Sequence, residues 1–489
     1  KRKEKLLLEI TLVQDLLDNN QTNALLIREE LLVKDLEAAL EQEEMIWFQK
    51  SREKWIAFGD RNTKYFHTST IIRRRRNRIE ALKDEGDSWI LDAKDLESHA
   101  ISYYKRLYGM EDVDQIVERL PMEGFVPLSH GELAVLSKPF SKREVESSVR
   151  SMGKYKAPGP DGFQLVFYQE CWDVVGSSVI RFVLEFFEFF PPKANDALVV
   201  LIAKVLKPER ITQFRLISLC NVLFKTITKT MVCRLKDVIS KLIGPAQSSF
   251  IPGRLSTDNI VIVQEAVHSM RRKKGRKGWM LLKLDLEKAY DRIRWDFLED
   301  TLKAAGLPVS WIGWIMQCVS GPSMQLLWNG EKTDSFRPAR GLRQGDPLSP
   351  YLFVLCLERL CHQIERSVAL KEWKPIPLSC GGPKLSHVCF ADDLILFAEA
   401  SVAQIRIIRT VLQKFCVASG EKVSLDKSKI FFSGNVSRDM AKLLSEESGI
   451  PSTRELGKYL GMPILQKRIN KDTFTDVLEK VSTRLSGWK

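Results

Sequence analysis

The sequence predicts an α/β (α+β) body preceded by a helical, basic N-terminal extension, and three observations carry that reading. From Lys1 to about Lys50, leucines recur at three- and four-residue steps among Glu and Lys ("LLLEITLVQDLL", "ALLIREELLVKDLEAAL"), which is the helical period. Beyond about Phe140, short apolar runs alternate with helix-patterned stretches, as in a sheet flanked by helices. Two of those runs, "MLLKLD" and "HVCFADDLILFA", end in or enclose aspartates, and the end of a strand is where α/β folds place ligand groups.

The chain has 489 residues, 44% hydrophobic and 28% charged, which suits a soluble globular protein of several packed units. A net charge of +13 favours a polyanionic partner, nucleic acid before membrane surface. The first fifty residues read as a long helix or helical hairpin whose role is packing. Next, "WFQKSREKWIAFGDRNTKYFHTSTIIRRRRNRIEAL" interleaves aromatics with Arg and Lys. That mixture suits stacking and phosphate contact on a single strand, and equally an amphipathic helix with a basic face. The basic runs at Arg73–Arg78 and Arg271–Lys277 read either as solvated segments or localisation signals, or as phosphate contacts. "LPMEGFVPLSHGELAVLSKPF", Leu120 to Phe140, is rich in Pro and Gly and reads as a linker. The nine cysteines show no CxxC pair and no zinc-ligand neighbourhood, so they are expected to be reduced core thiols. No apolar run is long enough to span a bilayer, and the start "KRKEK" lacks a Met, which reads as an intracellular portion excised from a longer protein.

The aspartates are the chemically informative residues. Met280 to Leu284 reads as a strand ending at Asp285, followed by a helix with Ala289, Ile293 and Phe297 at four-residue spacing. "HVCFA" and "LILFA" read as two strands joined by a tight turn at Asp392 and Asp393. A solvated turn explains that pair by itself. The alternative is that Asp285, Asp392 and Asp393 meet, in which case their repulsion calls for hard divalent cations such as Mg²⁺.

Taken together, the motifs resemble a reverse transcriptase of the non-LTR (LINE-type) retrotransposons, in the form found in plant elements. In the family's order stand "KAPGPDGF", "FRLISLCNVLFKTITKTMVCRLK", "AQSSFIPGRLSTDNI", "LKLDLEKAYD", "GLRQGDPLSPYLF", "FADD", "SGEKVSLDKSKI" and "KYLGMPI". The likeness is strongest from about Gly153 to Gln466 and reaches more weakly back to about Trp47. It implies a right-hand polymerase fold with an antiparallel palm sheet flanked by helices. The corresponding domains are an N-terminal extension over residues 1–120 after a missing endonuclease, fingers over 121–280, palm over 281–465 and the start of a thumb over 466–489.

The resemblance also implies site residues. Asp285, Asp392 and Asp393 match the catalytic and metal-binding acids, for two Mg²⁺ ions with Mn²⁺ as a substitute; Asp393 is the one whose role stays open. Tyr290 matches the steric gate against a 2′-OH, the bland alternative being a core tyrosine at helical spacing. Lys204 and Arg215 match positions that grip the triphosphate, where an arginine donates bidentate bonds. Gln344 and Gly345 match a loop whose glycine lets the backbone approach the nascent pair, or a plain turn capping the next helix. Lys427 matches a lysine assisting pyrophosphate departure, or is an exposed loop lysine. Arg254, Tyr459, Leu460 and Gly461 match primer and template positions. Asp291 gets no metal role and is expected to point away or to cap the next helix. Two positions depart from the family pattern, Leu216 and Ala203, each standing where proline is usual.

The function implied is RNA-directed DNA polymerisation: extension of a DNA primer or nicked chromosomal target on an RNA template with dNTPs, in the nucleus and without a membrane. Two readings compete. One is a catalytically silent, nucleic-acid-binding remnant, which the retained acids and Tyr290 oppose and Leu216 and Ala203 favour. The other is an intron-encoded maturase, which the forms "FADD" and "KAPGPDGF" suit less well.

Overall fold

The computed structural model describes residues 2–51, 63–112, 119–189, 195–379, 381–465 and 474–486. It divides into two compact units, Lys1–Glu80 with Leu478–Lys489, and Ala81–Val477. Among the described residues no helix is long and apolar enough to cross a membrane.

The first unit is helical, as the leucine period predicts. Helix α1 (Arg2–Asn19) folds back on α2 (Asn23–Ser51), burying Leu6, Ile10, Val13 and Leu17 against Leu32, Leu25, Leu36 and Ala39. Across the pair Gln14 Nε2 donates to Glu29 Oε1 at 2.8 Å. Helix α3 (Thr63–Asn77) packs on α2, and the Trp47 and His67 rings meet edge to face at 4.4 Å. Arg74, Arg75 and Arg76 are exposed at its end. Residues 52–62 of the aromatic and basic stretch lie outside the described residues.

In the second unit the elements run β1 (Leu82–Lys83), β2 (Trp89–Ile90), α4 (Ala93–Tyr108), α5 (His130–Ser137), α6 (Lys142–Ser151), α7 (Leu165–Glu170), α8 (Trp172–Phe186), β3 (Ala197–Ala203), β4 (Phe214–Cys220), α9 (Val222–Leu242) and α10 (Ser256–Arg272). Then come β5 (Trp279–Leu284), α11 (Ala289–Arg292), α12 (Trp295–Ala304), α13 (Val309–Ser320), β6 (Met324–Trp328), β7 (Glu331–Lys332) and α14 (Ser349–Ala369). The last are β8 (Ile376–Pro377), β9 (Lys384–Leu385), β10 (His387–Phe390), β11 (Asp393–Glu399), α15 (Val402–Ser419), β12 (Lys429–Phe432), α16 (Arg438–Ser448), β13 (Lys458–Tyr459) and β14 (Met462–Pro463).

Two four-stranded sheets organise this unit. One is fully antiparallel, in the order β10-β11-β5-β12. Its strands read as nearly unbroken apolar runs because both faces are covered. Leu282, Leu394, Leu396 and Ile430 join a core with α9, α12, α14 and α15, while Leu281, Ile395, Phe397 and Phe431 join another with α10 and Tyr459. The second sheet has the order β4-β3-β6-β7, with β3 and β6 parallel and β6 and β7 turned over Asn329–Gly330. Both turn residues have positive φ, as a tight Asn-Gly hairpin requires.

Two local expectations are corrected, on the linker and on the helix after Asp285, and the compact units and strand pairing are set beside the expected domain bounds. The N-terminal extension expected over residues 1–120 stops as a unit at Glu80, and residues 81–112 belong to the main body, where the Arg340 guanidinium holds the Leu107 carbonyl. Leu120 to Phe140 is no linker: Leu120, Leu136 and Phe140 are buried, α5 has a capping box between Ser129 and Glu132, and Arg359 grips the Leu120 and Pro121 carbonyls. The fingers boundary at residue 280 cuts through a sheet, since β6 pairs with β3. The helix after Asp285 breaks at Ile293 and Arg294, whose backbone bonds to Gly341 and Ser419 instead of continuing the helical ladder. Of the thumb expected over 466–489, residues 466–473 and 487–489 lie outside the described residues.

The loop before α14 is fastened by Arg343. Its guanidinium donates to the Asn195 and Cys318 carbonyls, each at 2.5 Å, and lies 4.4 Å over the Phe224 ring. Methionine here keeps the stem and removes every donor: the Asn195 carbonyl loses its guanidinium, the Cys318 carbonyl keeps only Asn195 Nδ2 at 3.4 Å, and the buried Asp346 carboxylate loses the cation 3.5 Å away. Arg343→Met is expected to lower stability by about 3 kcal/mol, read as a fall in the urea midpoint at pH 7.

Candidate active site

The site grows from the junction of β5, β10 and β11. Phe390 pairs with Asp393, so the link between the strands is the two-residue turn Ala391–Asp392. Ala391 has φ +51, a left-handed conformation that costs an L residue energy and needs outside support. Gln247 supplies it, its Oε1 accepting from the Ala391 amide at 3.1 Å. The whole "AQSSF" segment runs along β10: the Ala246 carbonyl accepts from the Cys389 amide at 2.8 Å, and the Cys389 carbonyl accepts from Ser248 N and Asn259 Nδ2.

On the other side β11 pairs with β5, with Leu394 opposite Leu284. One step beyond, that register brings Asp393 beside Asp285. The Asp285 backbone is pinned at both ends, its N–H to Ser428 Oγ at 3.1 Å and its carbonyl to Ser424 N at 2.8 Å. Asp392, at the turn, is exposed, while Asp285 and Asp393 are half-buried. Burial pushes the Asp393 carboxyl up, the Asp392 and Asp285 charges add to this, and Lys283 opposes them. Three mutually repelling hard oxygen donors are a donor set that fits hard divalent cations.

Cations converge from four elements. Lys427 Nζ lies 3.9 Å from Asp285 Oδ2. Lys204 and Arg215 stand together at the exposed end of the β3–β4 ladder, where Ile202 pairs with Arg215. Burial lowers the Lys204 pKa, and the charges of Lys427 and Arg215 lower it further. Lys288 is the fourth, a residue for which the sequence reading named no role. It sits at φ +50, reaches the Phe214 carbonyl with Nζ at 2.7 Å, and is held down to about 8 by burial and then by the Lys204 charge. Its motif position was the available signal; its reach to β4 depends on a contact distant in sequence.

Tyr290 stacks on Phe353, with ring centroids 4.5 Å apart and planes at 16°. Burial raises its phenol pKa, and the Asp392 charge adds to this. Asp291, the next residue, does not cap the next helix, whose N-cap is Arg294. It is buried, accepts from Tyr108 Oη at 2.8 Å, and its Oδ2 has no hydrogen-bond partner among the described residues. Burial raises its pKa to about 6 against the Tyr108 bond and the Lys288 and Lys204 charges. Nearby, burial also raises Glu421, whose two carboxylate oxygens are likewise without partners among the described residues. Asp112 bridges Arg292 at 2.7 Å and Arg340 at 2.6 Å.

The remaining expected residues are placed differently. Gly345 (φ +117) does approach a backbone closely, but that of β4: a Cβ there would stand 2.6 Å from the Ser218 carbonyl, and the Gln344 carbonyl accepts from Ser218 N at 2.7 Å. Arg254 spends its guanidinium on the carbonyls of Ser240, Ile243, Gly244 and Gln247, around the end of α9. Tyr459 is packed in the core beside α10, and the two-residue turn Leu460–Gly461 is what the β13–β14 hairpin presents. Lys283 Nζ ties that hairpin to β5 through the Lys458 carbonyl at 2.7 Å. Ala203 ends β3 and Leu216 lies on β4; the Lys204 amide bonds to the Gln213 carbonyl, so by alternation the amides of Ala203 and Leu216 face away from the β3–β4 ladder.

Acids at a strand turn, faced by a cluster of cations, are the arrangement of proteins that handle phosphorylated substrates. Residues 205–464, more than half of the chain, match the family described as reverse transcriptase (RNA-dependent DNA polymerase). Over 448 residues, 90% of this chain and 33% of the relative, the sequence is 27% identical to the transposon TX1 uncharacterized 149 kDa protein of Xenopus laevis. Over 272 residues it is 29% identical to the retrovirus-related Pol polyprotein from type-2 retrotransposable element R2DM of Drosophila melanogaster, covering 55% of this chain and 24% of that one. A shorter stretch of 65 residues, 13% of this chain and 53% of the relative, is 46% identical to an uncharacterized mitochondrial protein of Arabidopsis thaliana. The chain therefore belongs to the reverse transcriptase family, whose fold is that of polymerase palm and fingers. It spans about a third of the first relative's length and about a quarter of the second's.

Asp291 yields a pH prediction. Its folded pKa, about 6, lies above the ordinary 3.8, so its contribution to stability is full below about pH 4 and is lost as pH rises through 6. Asn mimics the neutral acid and does not lose it. Asp291→Asn is expected to exceed the parent by about 2–3 kcal/mol at pH 8 and to match it near pH 4, compared by urea denaturation at the two pH values.

Proposed function

We propose that this chain is the RNA-directed DNA polymerase portion of a plant non-LTR (LINE-type) retrotransposon. It extends a DNA primer 3′-hydroxyl on an RNA template with dNTPs, and acts on chromosomal DNA in the nucleus. The observation that carries this reading is the register Leu394 to Leu284, which sets Asp392 and Asp393 against Asp285 beside four cations. The Arabidopsis stretch supports the plant assignment.

In this reading Asp285, Asp392 and Asp393 hold two Mg²⁺ ions, with Mn²⁺ as a substitute. Bound there, the ions supply Lewis-acid stabilisation of the attacking and leaving oxygens. The chain's own residues do the rest. Lys204 and Arg215 reach from the fingers sheet to grip the triphosphate, and Lys288 latches that sheet to the acid strand through the Phe214 carbonyl. Lys427, beside Asp285, meets the departing pyrophosphate charge. Tyr290, fixed against Phe353, sits under the incoming sugar and excludes a 2′-OH. Gln344 and Gly345 brace the loop under the nascent pair, and Leu460–Gly461 meets the primer end. Arg254 serves the template side indirectly, by fixing the segment that straps β10. The fingers comprise residues 121–280 together with β6 and β7, and the palm is the rest of 281–465.

The test is dNTP incorporation on poly(rA) primed with oligo(dT). The parent should incorporate dTMP, and Asp392→Asn should fall by at least about a thousandfold with an unchanged circular dichroism spectrum. A parent that is folded, binds primer–template and incorporates nothing in Mg²⁺ or Mn²⁺ would sink the reading. Lys288→Met removes one charge-assisted contact and should raise the KM for dNTP by about tenfold, measured under steady-state conditions on the same template.

A further inference from the structure

The face of β10 turned away from Asp393 carries a second group of donors. His387 and Cys389 are two residues apart on the strand, so they point to the same side. They pair with Leu396 and Leu394, the strand positions that pack towards α14. Cys361 on α14 meets them there. Its sulfur lies 3.8 Å from Cys389 Sγ, and a His387 ring nitrogen and both sulfurs lie within 4.8 Å of one another. We propose that Cys361, His387 and Cys389 bind one soft divalent cation, Zn²⁺, behind the acid-bearing hairpin.

Three features favour a cation over simple packing. Two thiolates about 2.3 Å from a tetrahedral Zn²⁺ stand about 3.8 Å apart, the separation found here. The imidazole is set up as a ligand: Nδ1 is in hydrogen-bond contact with Ser386 Oγ at 2.9 Å, and Nε2 is buried with no partner among the described residues. A hydrogen bond at one ring nitrogen that orients the other is the usual support of a metal-bound histidine. Burial, besides, holds His387 down to about 4 and so keeps it neutral, the form that ligates. The donors are soft, whereas those at the turn are all carboxylate oxygens, so neighbouring sites on one hairpin would select different metals. Three protein donors leave one position for water. The cation would tie β10 to α14 three residues before Asp392, a staple for the strand rather than a participant in the reaction.

The grouping escaped the sequence because Cys361 belongs to a helix and the other two to a strand, with no short zinc-ligand spacing between them. The test uses the full chain, stripped with a chelator under a phosphine reductant and titrated with Co²⁺ in excess Mg²⁺, which occupies carboxylate sites without a thiolate band. One Co²⁺ per chain is expected, with sulfur-to-cobalt absorption in the near ultraviolet that one equivalent of Zn²⁺ abolishes. The band should vanish in Cys361→Ser and Cys389→Ser and persist in Cys220→Ser. If those variants do not fold, the parent alone decides: Zn²⁺ should protect Cys361 and Cys389 from alkylation, as mapped by mass spectrometry. No thiolate band, a band that survives both substitutions, absent protection, or a disulfide formed on mild oxidation by thiols that take up no Co²⁺ would each overturn the proposal.

Discussion

Holding three carboxylates together against their own repulsion is the constraint on which the main body depends. The burial that pushes Asp393 up and the two like charges beside it, with Lys283 opposing that shift, work against the meeting of the three acids. The β5–β11 ladder imposes it. Both strands are covered on both faces, Leu282, Leu394 and Leu396 on one side and Leu281, Ile395 and Phe397 on the other. A slip of one residue would turn every one of these side chains to the wrong core and carry Asp393 away from Asp285. The apolar faces therefore supply the free energy, and the register converts it into the position of the acids.

The opposite charge is assembled in the same way and kept apart. Lys204, Arg215, Lys288 and Lys427 come from the β3–β4 region, the turn after β5 and the loop before β12, and burial, then the neighbouring cations, lower the proton affinity of Lys204 and Lys288. Lys427 comes within ion-pair distance of an acid, at 3.9 Å from Asp285. Two adjacent like-charge clusters, neither fully compensated by the other, are a preorganised receptor for a ligand that carries both signs. In the proposed reaction that ligand is a nucleoside triphosphate with its cations.

The sequence made much of this legible. The helical hairpin α1–α2 follows from its leucine spacing, and the acid-bearing β-hairpin from two apolar arms around a turn. Asp285 at the end of β5 was likewise readable from the apolar run before it. What stayed hidden depended on contacts between distant segments. Helical spacing runs unbroken from Ala289 to Phe297, but main-chain bonds from Gly341 and to Ser419 stop the helix at Ile293. Leu120 to Phe140 has the composition of a linker, and contacts distant in sequence make it part of the core: Arg359, 239 residues beyond Leu120, grips its carbonyl, Trp311 donates to that of Leu136 and Arg234 to that of Pro139. Asp291 looked like a residue with nothing to do because Tyr108, its partner, is 183 residues away.

Arg254 and Gly345 show why motif membership does not decide between contact and support; the hydrogen-bond partner does. Gly345 lacks a side chain so that its loop can press against the Ser218 carbonyl. Gly159, in the "KAPGPDGF" loop, is similarly crowded by Asn221 at the start of α9, whose side chain also accepts from the Asp161 amide at 3.2 Å. At the far end of α9, Arg254 gathers four carbonyls. Seven residues earlier in the same strap, Gln247 steadies the left-handed Ala391. The turn that carries Asp392 is thus referenced to α9 as well as to its own sheet. A strained, like-charged turn held only by its two strands would be free to twist about them; the strap removes that freedom, and it does so with residues that never touch the acids.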